Sequence, residues 1–115
     1  MIERRNSMVE SCEQAAKVFK ALGNPYRLQA LGMLQSGEKC ACTLNDAIGL
    51  CPSTLSHHMK ILVDSGLVNA RQQGKWVHYS ISEEGARAAL ALLARITAQE
   101  PAPASSPAEH ECAGC

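Results

Sequence analysis

Residues Thr43 to Gly66, TLNDAIGLCPSTLSHHMKILVDSG, restrict the fold more than any other part of this 115-residue chain. Thr43 with Asp46 three residues later has the form of a capping box opening a short helix, and Gly49 ends it. Pro52 suits a first helical position, where its missing N–H leaves no bond unmade. Leu55, Met59 and Leu62 then fall on one face of a second helix, with Gly66 after Ser65 as its C-terminal cap. Two short helices joined by a tight Gly-containing turn predict a helix-turn-helix. The outer face of the second helix carries Ser53, Thr54, Ser56, His57 and Lys60, short donors and acceptors with one fixed cation, as a major-groove reader needs.

Downstream, Leu67 to Arg71 and Trp76 to Ile81 are two β-rich runs around Gln72-Gln73-Gly74-Lys75, the pattern of a β-hairpin. Helix-turn-helix plus hairpin is a winged helix. The runs STLSHHMKILVDSGLVNARQQGKWVHYSIS and LGNPYRLQALGMLQSGEKCAC resemble the ArsR/SmtB family of metal- and metalloid-responsive repressors. The resemblance covers roughly residues 12–98. The Ser-x-Leu-Ser-His-His-x-x-x-Leu helix, the GKWVHY wing and the Cys-x-Cys ahead of the paired helices carry it jointly.

The rest of the chain fits one small domain. Cys12, Ala15, Ala16, Phe19 and Leu22 recur at helical spacing and predict a first helix over 8–22. Asn24-Pro25 caps the next, whose apolar face is read as Leu28, Leu31 and Leu34, with Gly37 at its end. Ser82 with Glu83 and Glu84 opens a last helix, lined on one side by Ala86, Ala89, Leu90, Leu93 and Ile96 and closed by Pro101. PAPASSPAEHECAGC is Pro/Ala/Ser-rich and reads as a flexible tail. The expected organisation is a mostly α, α+β winged helix-turn-helix domain over 1–100, with about five helices and a two-stranded wing, followed by a Cys-containing tail over 101–115.

Charge and cysteine content bound the function. The formal net charge is zero, but residues 1–82 hold nine Lys/Arg against six Asp/Glu, and residues 83–115 hold two against five. A modest positive excess is enough for salt-dependent DNA binding. No run approaches a membrane span and MIERRNS lacks the apolar stretch of a signal peptide, so a cytoplasmic location is expected and no membrane partner. Six cysteines in such a chain point to metal binding or redox chemistry more than to structural disulfides. Cys40 and Cys42 stand at the start of a helix, where the dipole favours thiolate, and thiolates select soft ions. Cys51, in the turn before the second paired helix, is read as a buried structural thiol. Of the adjacent His57 and His58, the latter is the one expected to turn toward the core. No His or Asp stands beside Cys40 or Cys42 in sequence to activate them, so no enzyme is expected.

The resemblance adds further expectations. It implies a homodimer through the first and last helices, bound to two-fold operator DNA. It places Ser53, Thr54, Ser56, His57 and Lys60 on the recognition helix and assigns Arg71, Gln73 and Lys75 to the wing. No Arg on the recognition face is available for a bidentate guanine contact, which leaves specificity to His, Ser and Thr contacts and to DNA shape. It implies that trivalent arsenic or antimony at Cys40 and Cys42 acts as inducer. Where arsenic-responsive members often carry a third cysteine, three residues after the second, this chain has Asn45. A third ligand then comes from Cys12 of a partner, from the tail cysteines Cys112 and Cys115, or from a solvent oxygen. The His110, Cys112 and Cys115 motif is a further soft-metal clip or simply a chain end. The alternatives within the same fold are a cadmium-, lead- or zinc-responsive repressor and a thiol-redox or persulfide sensor.

Overall fold

The computed structural model describes residues 2–101, those before Ser11 by backbone alone. Element α1 spans Ile2–Leu22, α2 Pro25–Leu34, β1 Lys39–Cys40, α3 Ala41–Ile48, α4 Pro52–Asp64, β2 Val68–Gln73, β3 Trp76–Ile81 and α5 Glu83–Ile96. The expected tail, with His110, Cys112 and Cys115, lies outside the described residues. Among the described residues, no helix is long and apolar enough to cross a membrane.

The helix-turn-helix forms where its spacing predicts. Pro52 occupies the first turn of α4, and Leu55, Met59 and Leu62 are its buried residues. With Leu44 of α3, Met59 and Leu62 are the largest fully buried side chains, so the core lies directly behind the recognition helix. Gly49 ends α3 at φ +84, a left-handed conformation that glycine adopts without a Cβ clash. The start of α3 differs from expectation. The cap is Cys40, whose sulfur accepts from the Cys42 N–H at 3.4 Å, and the helix begins at Ala41, so Thr43 lies inside it rather than ahead of it.

The wing is a two-residue hairpin with Gln73 paired to Trp76, and β2 runs two residues further than its apolar pattern indicated. Beside the two-stranded wing, the described residues add a third strand to the sheet. The short β1 pairs antiparallel with β3 in the order β1-β3-β2, with Cys40 opposite His78. A two-residue strand has no alternation of its own to read, and only its partner reveals it.

Three other expectations shift. Helix α1 begins at Ile2 rather than near residue 8. The buried face of α2 is Arg27, Ala30 and Leu34, whereas Leu28 is exposed. Asn24 caps α2 as read, accepting from Tyr26 N at 2.9 Å. Helix α5 stops at Ile96, ahead of Pro101, after opening on Ser82, whose hydroxyl accepts from Gly85 N at 2.9 Å. Gly85 also sets how α5 docks. A Cβ there would overlap the Gly66 carbonyl, so only glycine lets α5 close on the end of α4.

Candidate ligand site and nucleic-acid interface

Cys40 and Cys42 come together as their spacing suggests. Their sulfurs lie 2.9 Å apart, in free thiols at the first turn of α3. The two are unequal. The Cys42 thiol and the Cys42 backbone N–H both point at Cys40 and hold its pKa below the usual thiol value. The same contact raises the Cys42 pKa. The pair is therefore two unequal thiols, Cys40 half-buried and the more acidic, Cys42 exposed, and two sulfurs this close can hold one soft ion between them. Among the described residues, no group of three His, Cys, Asp or Glu is arranged to hold a metal. Cys12 is exposed on α1 and is not brought to this pair within the chain. The pair fits an ion as a two-sulfur clip that needs a further donor.

Sequence spacing cannot show which residues surround the pair. The sheet register puts His78 across from Cys40. A cavity of about 340 Å³ elsewhere, lined by Phe19, Leu22, Leu31, Leu67, Leu90 and Leu93, is a groove between α1, α2 and α5. A second, of about 280 Å³, lies at the sensor itself and is lined by Ala41, Cys42, Asn45, Pro52, Leu55, Ser56 and Trp76. It joins α3, the recognition helix and the wing, so a sulfur of the pair and a residue of the reading face share one wall. Asn45 Oδ1 is buried and has no hydrogen-bond partner among the described residues.

Cys51 is exposed, contrary to the expected buried thiol. It caps the backbone of α4 without a side-chain cap bond to the helix amides. The Thr54 hydroxyl at 3.1 Å and the Ser53 hydroxyl at 3.6 Å hold its pKa down to about 7. Both contacts are local to the first turn of α4, two and three residues on from its cap.

On the expected DNA surface, Ser53, Ser56, His57 and Lys60 are exposed and Thr54 is half-buried against Cys51. Lys60 pairs loosely with Asp64 at 3.6 Å, one turn on. Such an exposed pair adds little stability and leaves the cation available to phosphate. On the wing, Lys75 and Gln73 are exposed. Arg71 is engaged: Nε and Nη2 donate to Glu38 at 3.0 and 2.7 Å, and Nη1 donates to Gln73 at 2.9 Å. The Arg71 hydrogen bonds hold the Glu38 carboxyl below its usual pKa. This bidentate pair ties the wing to the segment entering β1.

His58 turns inward as read, but toward α2. Arg27, 7% exposed, places Nη1 at 2.9 Å from His58 Nδ1 and donates Nε to Ala21 O and Nη2 to Lys20 O. A guanidinium only donates, so His58 Nδ1 accepts and the ring proton sits on Nε2. Burial first, then the Arg27 and His57 charges, lower the His58 pKa. Arg27 stands three residues before Ala30 and seven before Leu34, inside the buried stripe, and this is the only sequence signal it leaves.

Residues 24–70 match the family described as bacterial regulatory protein, arsR family. An arsenical resistance operon repressor of Staphylococcus xylosus is 40% identical over 74 residues, covering 64% of this chain and 71% of that protein. A cadmium resistance transcriptional regulatory protein CadC homolog of Staphylococcus aureus is 39% identical over 70 residues, 60% of this chain and 58% of that protein. The homodimeric winged helix-turn-helix DNA-binding domain of a possible ArsR-family regulator from Mycobacterium bovis superposes with a TM-score of 0.63 at 33% identity. The superposition covers 81% of this chain and 84% of that one.

Proposed function

Because this chain belongs to the ArsR family of bacterial transcriptional repressors, and is a winged-helix regulator rather than an enzyme, we propose that it is a homodimer that holds operator DNA until a trivalent metalloid, arsenite or antimonite, binds Cys40 and Cys42. The observation that carries this reading is the pair itself. Two sulfurs 2.9 Å apart open α3, and Cys42 lines the cavity that α3 shares with the recognition helix.

The residues divide the work. Ser53, Ser56, His57 and Lys60 face outward from α4 and enter the major groove, while Lys75 on the wing tip meets phosphate. Leu90, Leu93 and Ile96 leave an apolar stripe on α5 that is 70%, 46% and 55% exposed in the single chain. A stripe of that size on a small domain calls for a covering surface. The homodimeric neighbour makes the partner copy its natural cover. An ion held by both sulfurs would cross-link the first turn of α3. Cys40 uses the same sulfur to cap that helix, so ligation competes with the cap bond to Cys42 N. The first turn then adjusts, and the wall it shares with Pro52, Leu55 and Ser56 transmits the change to α4. Release requires the ligand to favour the DNA-incompetent form, and DNA must weaken the ligand by the same factor.

The test is a titration of an operator selected from genomic fragments, followed by DNA anisotropy. Cys40→Ser and Cys42→Ser should each bind DNA as wild type does and fail to release it with arsenite or antimonite. Release at the wild-type concentration in both variants would sink the sensor. The CadC homolog supports a second reading, a cadmium-type response. It needs more donors than this pair, with Cys12 of the partner or the tail cysteines as sources, so loss of cadmium response in Cys12→Ser would favour it.

A further inference from the structure

Glu38 joins two parts of the molecule that lie 33 residues apart in sequence. Its carboxylate accepts from Arg71 Nη2 at 2.7 Å and from Arg71 Nε at 3.0 Å. The remaining nitrogen of that guanidinium, Nη1, donates to Gln73 at 2.9 Å. Arg71 and Gln73 belong to wing strand β2, whereas Glu38 stands immediately ahead of β1, two residues before Cys40. Strand β1 consists of Lys39 and Cys40 alone, about 7 Å of chain. Both of its residues pair with β3, Lys39 with Tyr79 and Cys40 with His78, and His78 pairs in turn with Arg71. Cys40, His78 and Arg71 thus form one cross-strand row on one face of the sheet. Tyr79, next in register, is buried in the core and belongs to the opposite face. The row runs from a sulfur of the cysteine pair to the guanidinium that ties the wing together.

We propose that Glu38 is a positioning residue that couples the cysteine pair to the wing. Without ligand, it holds Arg71, and through Arg71 the Gln73 side chain, in the pose that meets DNA. The Cys40 sulfur that would take the ligand also caps α3, and Cys40 is half of β1. A strand of two residues has no length over which to absorb a shift at one end, and Glu38 stands at the other. A bidentate carboxylate–guanidinium pair is directional, so a moved carboxylate re-aims the guanidinium and the wing loses its pose. The pair is partly exposed and adds little stability, so what it supplies is fixed geometry. This deepens the function proposed above and rests on it. It adds a route through β1 and the wing to the route through α3 and α4.

Three quantities test this on the full chain. DNA anisotropy gives operator affinity without ligand and with saturating arsenite, and the ratio of the two is the coupling factor. Trp76 is the only tryptophan and lines a cavity with Cys42, so its emission follows arsenite binding without DNA. Glu38→Gln keeps the size of the side chain and removes the charge that holds Arg71, which retains its own charge for phosphate. It should leave arsenite binding and ligand-free operator affinity within about twofold of wild type, as for an exposed pair. It should lower the coupling factor about fivefold, within the range by which residues between two sites modulate coupling. Arg71→Ala added to Glu38→Gln should lower the factor no further, because both cut one link. A wild-type factor in Glu38→Gln overturns the proposal, as does an additive loss in the double variant. A fall in ligand-free operator affinity that accounts for the whole change in the ratio also overturns it, because Glu38 would then only support the fold of the wing. Wild-type release of DNA by the Cys40→Ser, Cys42→Ser double variant overturns the thiol sensor itself and this route with it. A sensor lost in that variant but intact in Glu38→Gln overturns the route through the wing alone.

Discussion

Arg27 Nη1 donates to His58 Nδ1 at 2.9 Å, across 31 residues of sequence, and fixes the inner side of the recognition helix to the junction of α1 and α2. Its other nitrogens bind Ala21 O at 2.8 Å and Lys20 O at 3.1 Å, carbonyls in the last turn of α1, so one guanidinium satisfies a helix end and orients α4 together. The outward aim of Ser56, His57 and Lys60 depends on this inward anchor, because all of them ride on the same rigid helix.

Arg27→Ala should destabilise the fold by about 2–4 kcal/mol, because it leaves the two carbonyls and the His58 ring without their donor. Urea unfolding of the full chain measures it. Arg27→Lys should recover only part of the loss, since an ammonium cannot span three acceptors in one plane. A loss below about 0.5 kcal/mol, within the range of an ordinary surface substitution, would mean the network is incidental.

Stability should depend on pH through His58. The groups facing it are Arg27, His57 and Tyr26, whose ring centroid lies 5.8 Å away. Its folded pKa is lowered from the ordinary 6.5. The unfolded chain therefore binds the proton more readily, and this contribution is complete above about pH 6.5 and is lost as pH falls from there through the lowered folded value. One such group changes stability by at most about 1.4 kcal/mol per pH unit. Unfolding free energies between pH 5 and 8 should show this fall in wild type and a flatter profile in His58→Leu. Parallel profiles would assign the pH dependence elsewhere.

Lys60→Ala and Lys75→Ala should weaken DNA binding and reduce the slope of log affinity against log salt by about one each. Both side chains are exposed, and Lys60 has only the loose 3.6 Å contact with Asp64. Arg71→Ala should act differently. It removes the Glu38 pair as well as any phosphate contact, so the wing loosens and affinity falls with a smaller change in salt slope. Unchanged slopes in both lysine variants would move the DNA surface away from α4 and the wing tip.

Leu90→Asp or Leu93→Asp should give monomers in sedimentation and collapse operator affinity, because a carboxylate in an apolar interface is costly and one copy reads only a half-site. The single chain should still fold, since both positions are exposed in it. A wild type that sediments as a monomer at micromolar concentration would end this prediction.

Local chemistry made the helix-turn-helix and its wing legible in the amino-acid sequence. Leu55, Met59 and Leu62 repeat at the period of a helix, Pro52 marks its start, Gly49 marks the end of the helix before it, and a glycine separates two β-rich runs. Cys40 and Cys42 were legible too, since one intervening residue at a helix start forces their sulfurs close. Contacts between distant segments were decided only by the folded chain. Strand β1 exists because β3 pairs with it, and Arg27 is buried because Ala21, Lys20 and His58 together satisfy its charge. The cap of α3 passed from Thr43 to Cys40 because β1 ends there in extended backbone, which sets the helix to begin one residue later. Asn45 is marked in the sequence only by standing where a third cysteine is often found. Its Oδ1 is buried only in the folded chain, and burial is a property of neighbours that no spacing along the chain encodes.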